Sequence, residues 1–326
     1  MLGPSRNFEK SQVDMGQFGA SMLGMPATAE RIGAAYPLDD PVMSEQLEFY
    51  KAATGIHDTQ KLKAHLFGTS RRFITLDGSK KSVGNLLLTY TLETGFHFLQ
   101  GMIARHSFFP NVINAIKDNS KTRKIFMDIG AGMGNDLRQV IHHGWNRNDV
   151  LGVDVDSEWS ALGYKLFRDQ KTPVPNFIGN ILTPEVLNVS IPTKVAPISS
   201  IDLHTLKDLN SLKGRVNFIS SNQLFHFFNE TEQRRLAERC ALLLSNEPGS
   251  AIFGMQVGGS QKGVQTSIKT FVHSPMTWEE MWVSVFGPNK VKVVSELVET
   301  SQEDHLVQLF PDCKGIKRLY WSVTRI

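Results

Sequence analysis

The run Asp128-Ile129-Gly130-Ala131-Gly132-Met133-Gly134 carries the strongest chemical signal in the chain. It falls where a strand-like apolar run gives way to a helical pattern, and glycines at such a junction let the backbone approach a ligand with no Cβ in the way. A dinucleotide-type Gly-x-Gly-x-x-Gly loop starting at Gly130 would need glycine at position 135, where asparagine stands; no Gly-Lys-Ser/Thr follows to make a phosphate-cradling loop. An acid just ahead of the loop suits a cationic ligand better than a pyrophosphate. About twenty residues later the run Leu151-Gly152-Val153-Asp154 ends in a second acid, where a carboxylate can accept hydrogen bonds from both hydroxyls of a ribose.

A nucleoside with a positively charged tail meets both requirements. S-adenosyl-L-methionine carries an ammonium and a sulfonium, so Asp128 would attract the ammonium directly or through water while Asp154 holds the ribose. A turn cap at Asp128 and a helix cap at Asp154 are the purely structural alternatives.

The elements that must position these residues are legible from periodicity. After residue 121, strands are expected over 124–129, 150–155, 176–179, 216–220 and 250–257, alternating with helices over 135–143, 158–168 and 230–244. Such alternation predicts an α/β fold with a parallel sheet covered on both faces. Two late strands, 291–298 and 317–325, with a short apolar run at 305–310 between them, predict an antiparallel pair at one edge. Trp278 and Trp282, four apart after Pro275, would fix a late helix to the sheet. Ahead of residue 121 the pattern is helical: Ser44 can cap a helix through Leu47, Phe49 and Tyr50, Asp58 a second carrying Leu62, Leu66 and Phe67, and a third is expected over 83–106, broken by Pro110. Up to Pro41, Met15, Met22 and Met25 alternate with Gly16, Gly19 and Gly24, which reads as an arm closing over something apolar or as a disordered tail. The organisation expected is a helical cap or lid over 1–120 and a ligand-binding domain over 121–326.

Composition narrows the function classes. In 326 residues, 35 basic side chains against 32 acidic ones leave a formal charge of +3, too weak a field to point to nucleic acid. No run approaches the roughly 18–20 apolar residues of a membrane span. Arg6, Glu9 and Lys10 stand where a secretory peptide needs its apolar core, and Cys240 and Cys313 make no disulfide framework, so a cytoplasmic location is expected. His142 and His143 are consecutive on a helix and point apart, and no other ligand spacing suggests a metal. An oligomer is not indicated.

The loop and the second acid resemble those of class I S-adenosylmethionine-dependent methyltransferases, whose pattern D/E-x-G-x-G-x-G followed by an acid ending the second strand is met by Asp128, Gly130, Gly132, Gly134 and Asp154. Longer runs, over 130–140 and 151–169, then Gln223-Leu224-Phe225-His226-Phe227-Phe228 and Gly254-Met255-Gln256-Val257-Gly258-Gly259, are similar to fungal small-molecule methyltransferases of meroterpenoid pathways. The resemblance implies a Rossmann-like seven-stranded sheet with an N-terminal helical cap, and carboxyl O-methylation of a polyketide-terpenoid intermediate as a typical activity. It departs in the first third of the chain and in an insert over 183–212 between the third and fourth strands. It implies that Gly179, Asn180 and Ile181 lie beside the adenine, with Asn180 where many relatives have Asp, and that Ser221, Asn222 and Gln223 lie near the methionine moiety.

Methyl transfer is an in-line displacement, so the protein must hold a nucleophile about 3 Å from the methyl group. A carboxylate acceptor is already ionised at neutral pH, while a phenol of pKa about 10 gains from a base. His226, directly after the fourth strand, is the candidate base, with simple packing as the alternative. Arg105 could clamp a substrate carboxylate or be an exposed charge; Tyr90 and His97 could line the acceptor pocket or belong to the core. The activity expected is O-methylation of a carboxylate or phenol on a hydrophobic natural-product intermediate. Carbon or nitrogen methylation, or a cofactor-binding regulatory protein without turnover, are the alternatives.

Overall fold

The computed structural model describes residues 41–74, 101–117, 122–190, 197–265, 270–300 and 317–326. Five short apolar runs form parallel strands β1 (Phe126–Ile129), β2 (Val150–Asp154), β3 (Asn176–Ile178), β4 (Phe218–Ser220) and β5 (Ala251–Gly258). Two longer strands, β8 (Val291–Glu299) and β9 (Lys317–Arg325), run antiparallel and complete a seven-stranded sheet in the order β3-β2-β1-β4-β5-β9-β8. The expected Rossmann-like sheet and its antiparallel edge pair are both present. The order reverses between β1 and β4, and in open α/β sheets the crevice outside the strand ends at such a reversal receives ligands.

Alternate residues of the same strands feed two cores, as the two-residue period of a strand requires. Met127, Ile129, Leu151, Val153, Ile219 and Ile252 face one side, against helices α6 (Glu230–Leu243) and α7 (Pro275–Phe286). There Phe225, Trp278, Trp282 and Trp321 form an aromatic cluster with ring centroids 5.0–6.0 Å apart, edge to face except for the tilted pair Trp282 and Trp321. Phe126, Val150, Phe218, Ala251 and Phe253 face the other side, under α3 (Phe109–Lys117) and α4 (Asn135–His142). The segment before α3 is tied to the sheet by His106: its Nδ1 accepts from the Phe108 N–H, so its Nε2–H donates to the Gly254 carbonyl at 3.1 Å.

A third cluster joins the first described helices, α1 (Pro41–Thr54) and α2 (Thr59–Ile74), to α5 (Ser157–Phe167). Tyr50 stacks on Phe167 with centroids 5.6 Å apart, and Leu47, Leu62 and Leu66 bury with Met133 and Trp159. Each such side chain contributes roughly 1.5–3 kcal/mol on burial. α1 and α2 are thus layered onto the helices that flank the glycine loop.

Several boundaries differ from expectation for identifiable reasons. α1 begins at Pro41, so Ser44 lies inside it rather than capping it, whereas Asp58 does cap α2 by accepting from the Lys61 N–H at 2.8 Å. Pro110 opens α3 rather than breaking a helix: in the first turn its missing N–H costs nothing. The helix expected to run to His106 does not reach it; Gly101 is left-handed at φ 61°, and Ile103–Arg105 is a single 3-10 turn. A hairpin of three-residue strands, β6 (Gly263–Gln265) and β7 (Thr270–Val272), was not expected. The insert contributes Leu187, Ile201, Leu203, Leu209 and Leu212 to the main core, and Arg123 holds it through the Ile198 and Ile201 carbonyls. The methionine-rich arm before Pro41, the run at 305–310 and most of the expected third helix lie outside the described residues.

Candidate functional site

The glycine loop crosses the carboxyl end of β1 with Gly130, Gly132 and Gly134 at φ 78°, 53° and 72°. The Gly130 N–H donates to the Val153 carbonyl at 2.9 Å, and the Gly132 N–H donates to Asp154 Oδ2 at 2.8 Å, so β2 shapes the loop with backbone and side chain together. Asp154 Oδ1 accepts from the Asp156 N–H at 3.2 Å. Burial raises the Asp154 pKa against these donors.

Beneath the loop sits a buried guanidinium. Arg138 Nε and Nη2 each meet one oxygen of Asp169 at 3.0 Å, while Nη1 donates to the carbonyls of Met133 and Gly134 at 3.0 and 3.1 Å. Its plane lies over the Phe167 ring, 4.6 Å from the centroid. A Cβ on Gly134 would stand 2.4 Å from Arg138 Nη1, and one on Gly163 would stand 2.0 Å from the Met133 carbonyl oxygen. Both glycines are therefore required by close approach as well as, at Gly134, by a left-handed backbone. With its carbonyls turned toward Arg138, the loop is fixed against α4 and α5.

Above the loop opens a cavity of about 300 Å³ whose wall includes Asp128, Gly130, Gly132, Asp154, Asn180, Ile181 and Asn222. The eighth expected cofactor residue, Gly134, is the N-terminal cap of α4 next to it. Asp128 is buried and accepts from Ser220 Oγ at 2.6 Å; desolvation first, then Asp136, push its pKa well above the usual carboxylate range. Asn180 Oδ1 accepts from the Leu182 N–H at 3.0 Å, which orients the amide at the end of β3. Asn222 Oδ1 accepts from the Met255 N–H at 3.1 Å, and Gln223 beside it is left-handed at φ 53°, a conformation a non-glycine residue adopts under local constraint.

The sequence reading missed Asp136. It is buried on the cavity wall, its Oδ1 accepts from the Ile103 N–H at 3.2 Å, and its Oδ2 accepts from Asn222 Nδ2 at 2.7 Å. Burial pushes its pKa up to about 6. An acid in the first turn of a helix is ordinary by sequence, because it complements the helix dipole. Met102, Trp159, Leu224, Phe227 and Phe228 also line the cavity and are individually unremarkable apolar residues.

Neither of the described substrate-side candidates, His226 and Arg105, lines this cavity. His226 lies in the 3-10 turn Phe225–Phe227, buried, and it is not among the residues lining the wall. Desolvation, with Arg318 nearby, pushes its pKa down to about 4, too low for efficient proton abstraction from a phenol. Arg105 is exposed at the end of its 3-10 turn and does not line the cavity, because the Ile103 N–H is spent on Asp136 and the segment leaves helical geometry there. Tyr90 and His97 lie outside the described residues. His142 and His143 are closer than their consecutive placement suggests, with ring centroids 5.3 Å apart, yet no metal-ligating cluster occurs among the described residues. No described helix is long and apolar enough to cross a membrane.

Four carboxylates, those of Asp128, Asp136, Asp154 and Asp156, line the cavity, and no Lys or Arg does so among the described residues. This donor set fits a cationic nucleoside and does not fit a pyrophosphate.

No protein-family profile matches the chain. Among individual proteins it is similar to O-methyltransferase phiE of a fungal species, 25% identical over 58% of this chain and 57% of that protein. It is also similar to the Asnovolin E/Chermesin D methyltransferase nvfJ of Aspergillus novofumigatus, 28% identical over 58% of this chain and 62% of that protein. The matched regions thus span about three-fifths of the length of these curated relatives. The resemblance to fungal methyltransferases read from the sequence is borne out. A solved phosphoethanolamine N-methyltransferase 2 of Haemonchus contortus shares 12% identity over 66% of this chain and 52% of that one, at a TM-score of 0.43, too slight a likeness to argue from.

Proposed function

We propose that the protein binds S-adenosyl-L-methionine in this cavity and moves its methyl group to an oxygen of a hydrophobic small molecule, a carboxylate or phenol. One observation carries the reading: a glycine loop bonded to Asp154 forms one wall of a cavity that is lined by four carboxylates and lies at the sheet's order reversal. The fungal relatives named as O-methyltransferases support oxygen as the acceptor atom. When bound, the cofactor supplies an electrophilic methyl on a good leaving group, so the chain's own task is to bind, orient and exclude water.

In this reading Asp154 receives the ribose hydroxyls, Asn180 and Ile181 flank the base, and Asp128, Asp136 and Asn222 meet the charged tail. Leu224, Phe227 and Phe228 keep water from the wall beyond β4. Incubation with methyl-labelled cofactor and a panel of lipophilic acids and phenols should transfer label to at least one of them. Binding without transfer to oxygen, carbon or nitrogen acceptors would instead make this a cofactor-binding regulatory protein.

Binding should depend on pH. The groups that face Asp136 are the Asp128 carboxyl, the buried Tyr50 hydroxyl from α1, and the donors Asn222 and Ile103; Asp154 lies beyond, against Asp128, and Arg138 against Tyr50. With its pKa at about 6 against an ordinary 3.8, the free protein between about pH 4 and 6 holds a proton on Asp136 that the unfolded chain has lost. Its contribution to stability is therefore greatest at low pH and declines as pH rises through that window. A cation favours the carboxylate, so affinity for the cofactor should rise as pH climbs from about 5 to about 7, with proton release on binding within that range. Calorimetry in two buffers of different ionisation heat counts the proton; zero release at pH 5.5 would contradict the assignment.

A further inference from the structure

One part of the cavity wall comes from ahead of the sheet. Met102 lines the cavity with its sulfur 3.5 Å from Gln223 Nε2, and the Ile103 N–H donates to Asp136 Oδ1. What seats this segment is the residue before it. Gly101 is left-handed, and a Cβ there would stand 2.6 Å from Gln46 Oε1 and 2.9 Å from Gln139 Nε2. Those two atoms are bonded to each other: Gln139 Nε2 donates to Gln46 Oε1 at 2.9 Å, and both residues are buried. Gln46 comes from α1, and Gln139 from α4, three positions after Asp136 and therefore on the same helix face.

Two methionines of similar length would fill the space of this amide pair, but a hydrogen bond is directional and fixes where both side chains end. Gly101 lies against that fixed end. The next two residues then reach the wall at Gln223 and Asp136, beside Asn222, the end of the cavity assigned above to the charged tail. No described side chain of α1 lines the cavity itself. Resting on the cofactor reading above, we propose that Gln46 and Gln139 are positioning residues for the cofactor's amino-acid tail, acting through Gly101, Met102 and Ile103. The pair makes the tail's affinity depend on the docking of α1, a helix set behind the wall. When the pair is broken, the Ile103 N–H is no longer held to Asp136, and the carboxylate loses the orientation in which it meets the tail. The ribose position at Asp154, across β1 on β2, keeps its own bond to the glycine loop. Coupling of this kind is reciprocal: the bound tail holds α1 in place by the same factor by which α1 strengthens the tail's binding.

Calorimetric titration of the full chain tests this with two ligands that share an adenosine and a neutral sulfur: S-adenosylhomocysteine, which carries the tail, and 5′-methylthioadenosine, which does not. Gln46→Met, Gln139→Met and Gly101→Ala should each weaken S-adenosylhomocysteine about tenfold, the effect of one misplaced charge-assisted hydrogen bond, and 5′-methylthioadenosine less than about twofold. The two methionine changes combined should cost no more than either alone, because each already breaks the same bond. Leu62→Ala, which loosens the cluster joining α1 and α2 to α5 without altering either amide, should lower Tm and leave both affinities within about twofold. The methionine variants keep side-chain length and carry the test if Gly101→Ala folds poorly. Equal losses for both ligands, unchanged affinity for S-adenosylhomocysteine, or the same tail-dependent loss in Leu62→Ala would overturn the positioning role while leaving the cofactor site intact. A wild type that binds neither ligand would overturn the cofactor reading and this inference together.

Discussion

Asp154→Ala should weaken S-adenosylmethionine binding by about 1–3 kcal/mol, roughly 5- to 150-fold, the range for losing charge-assisted hydrogen bonds. The carboxylate has two duties. It is placed to receive the ribose, and its Oδ2 already accepts the Gly132 N–H at 2.8 Å, so its removal also frees the middle of the glycine loop. Asp156→Ala, at the neighbouring wall position, is the control: its side chain caps α5 by accepting from the Glu158 N–H at 2.8 Å and does not bond the loop. Calorimetric titration of both variants gives the comparison. Unchanged affinity in Asp154→Ala would mean that the second-strand acid does not contact the ligand.

The second large effect should be on stability. Arg138→Met is expected to cost about 3–5 kcal/mol of unfolding free energy, the range for removing one partner of a buried ion pair. Arg138 and Asp169 are 5% and 8% exposed, so neither charge can turn to solvent. Arg147 also bonds Asp169 at 3.0 Å, which places the loss toward the lower end of that range. Arg147 is 32% exposed, and Arg147→Met should cost below about 1 kcal/mol. Urea denaturation followed by circular dichroism separates the two; equal small losses would show that the loop keeps its shape without Arg138.

The strands and the loop were legible because their signals are local. β1 to β5 are short apolar runs ending in turn residues, and Asp128 and Asp154 announce themselves by standing at strand ends beside glycines. The parts that escaped depend on what the chain meets in space. Pro110 has the same covalent structure whether it breaks a helix or opens one, and only the neighbouring residues decide. Asp136 is an unremarkable first-turn acid until the Ile103 N–H and Asn222 arrive from 33 positions before it and 86 after it. His226 stands next to the site in sequence, yet its backbone carbonyl accepts from Thr270 Oγ1 in the hairpin β6–β7, whose three-residue strands are too brief to read. Arg105 looked like a clamp because a long helix was expected to carry it, and the left-handed Gly101 ends that continuity.

The position of β9 has a consequence for how the protein is made. β5 is buried at all eight of its residues, and its second neighbour is β9, paired from Ala251 with Thr324 to Gly258 with Lys317. As the chain leaves the ribosome, β1 to β4 find their partners early, and β5 joins β4, but its other edge waits for a strand that follows β8 in sequence. Until then a row of unpaired N–H and C=O groups flanks an apolar strand, an open template for any other chain with a free edge. Synthesis interrupted before β9 would leave the strands around the cofactor cavity in place and the sheet unsealed, so the hazard of truncation lies in aggregation rather than in loss of the site's chemistry.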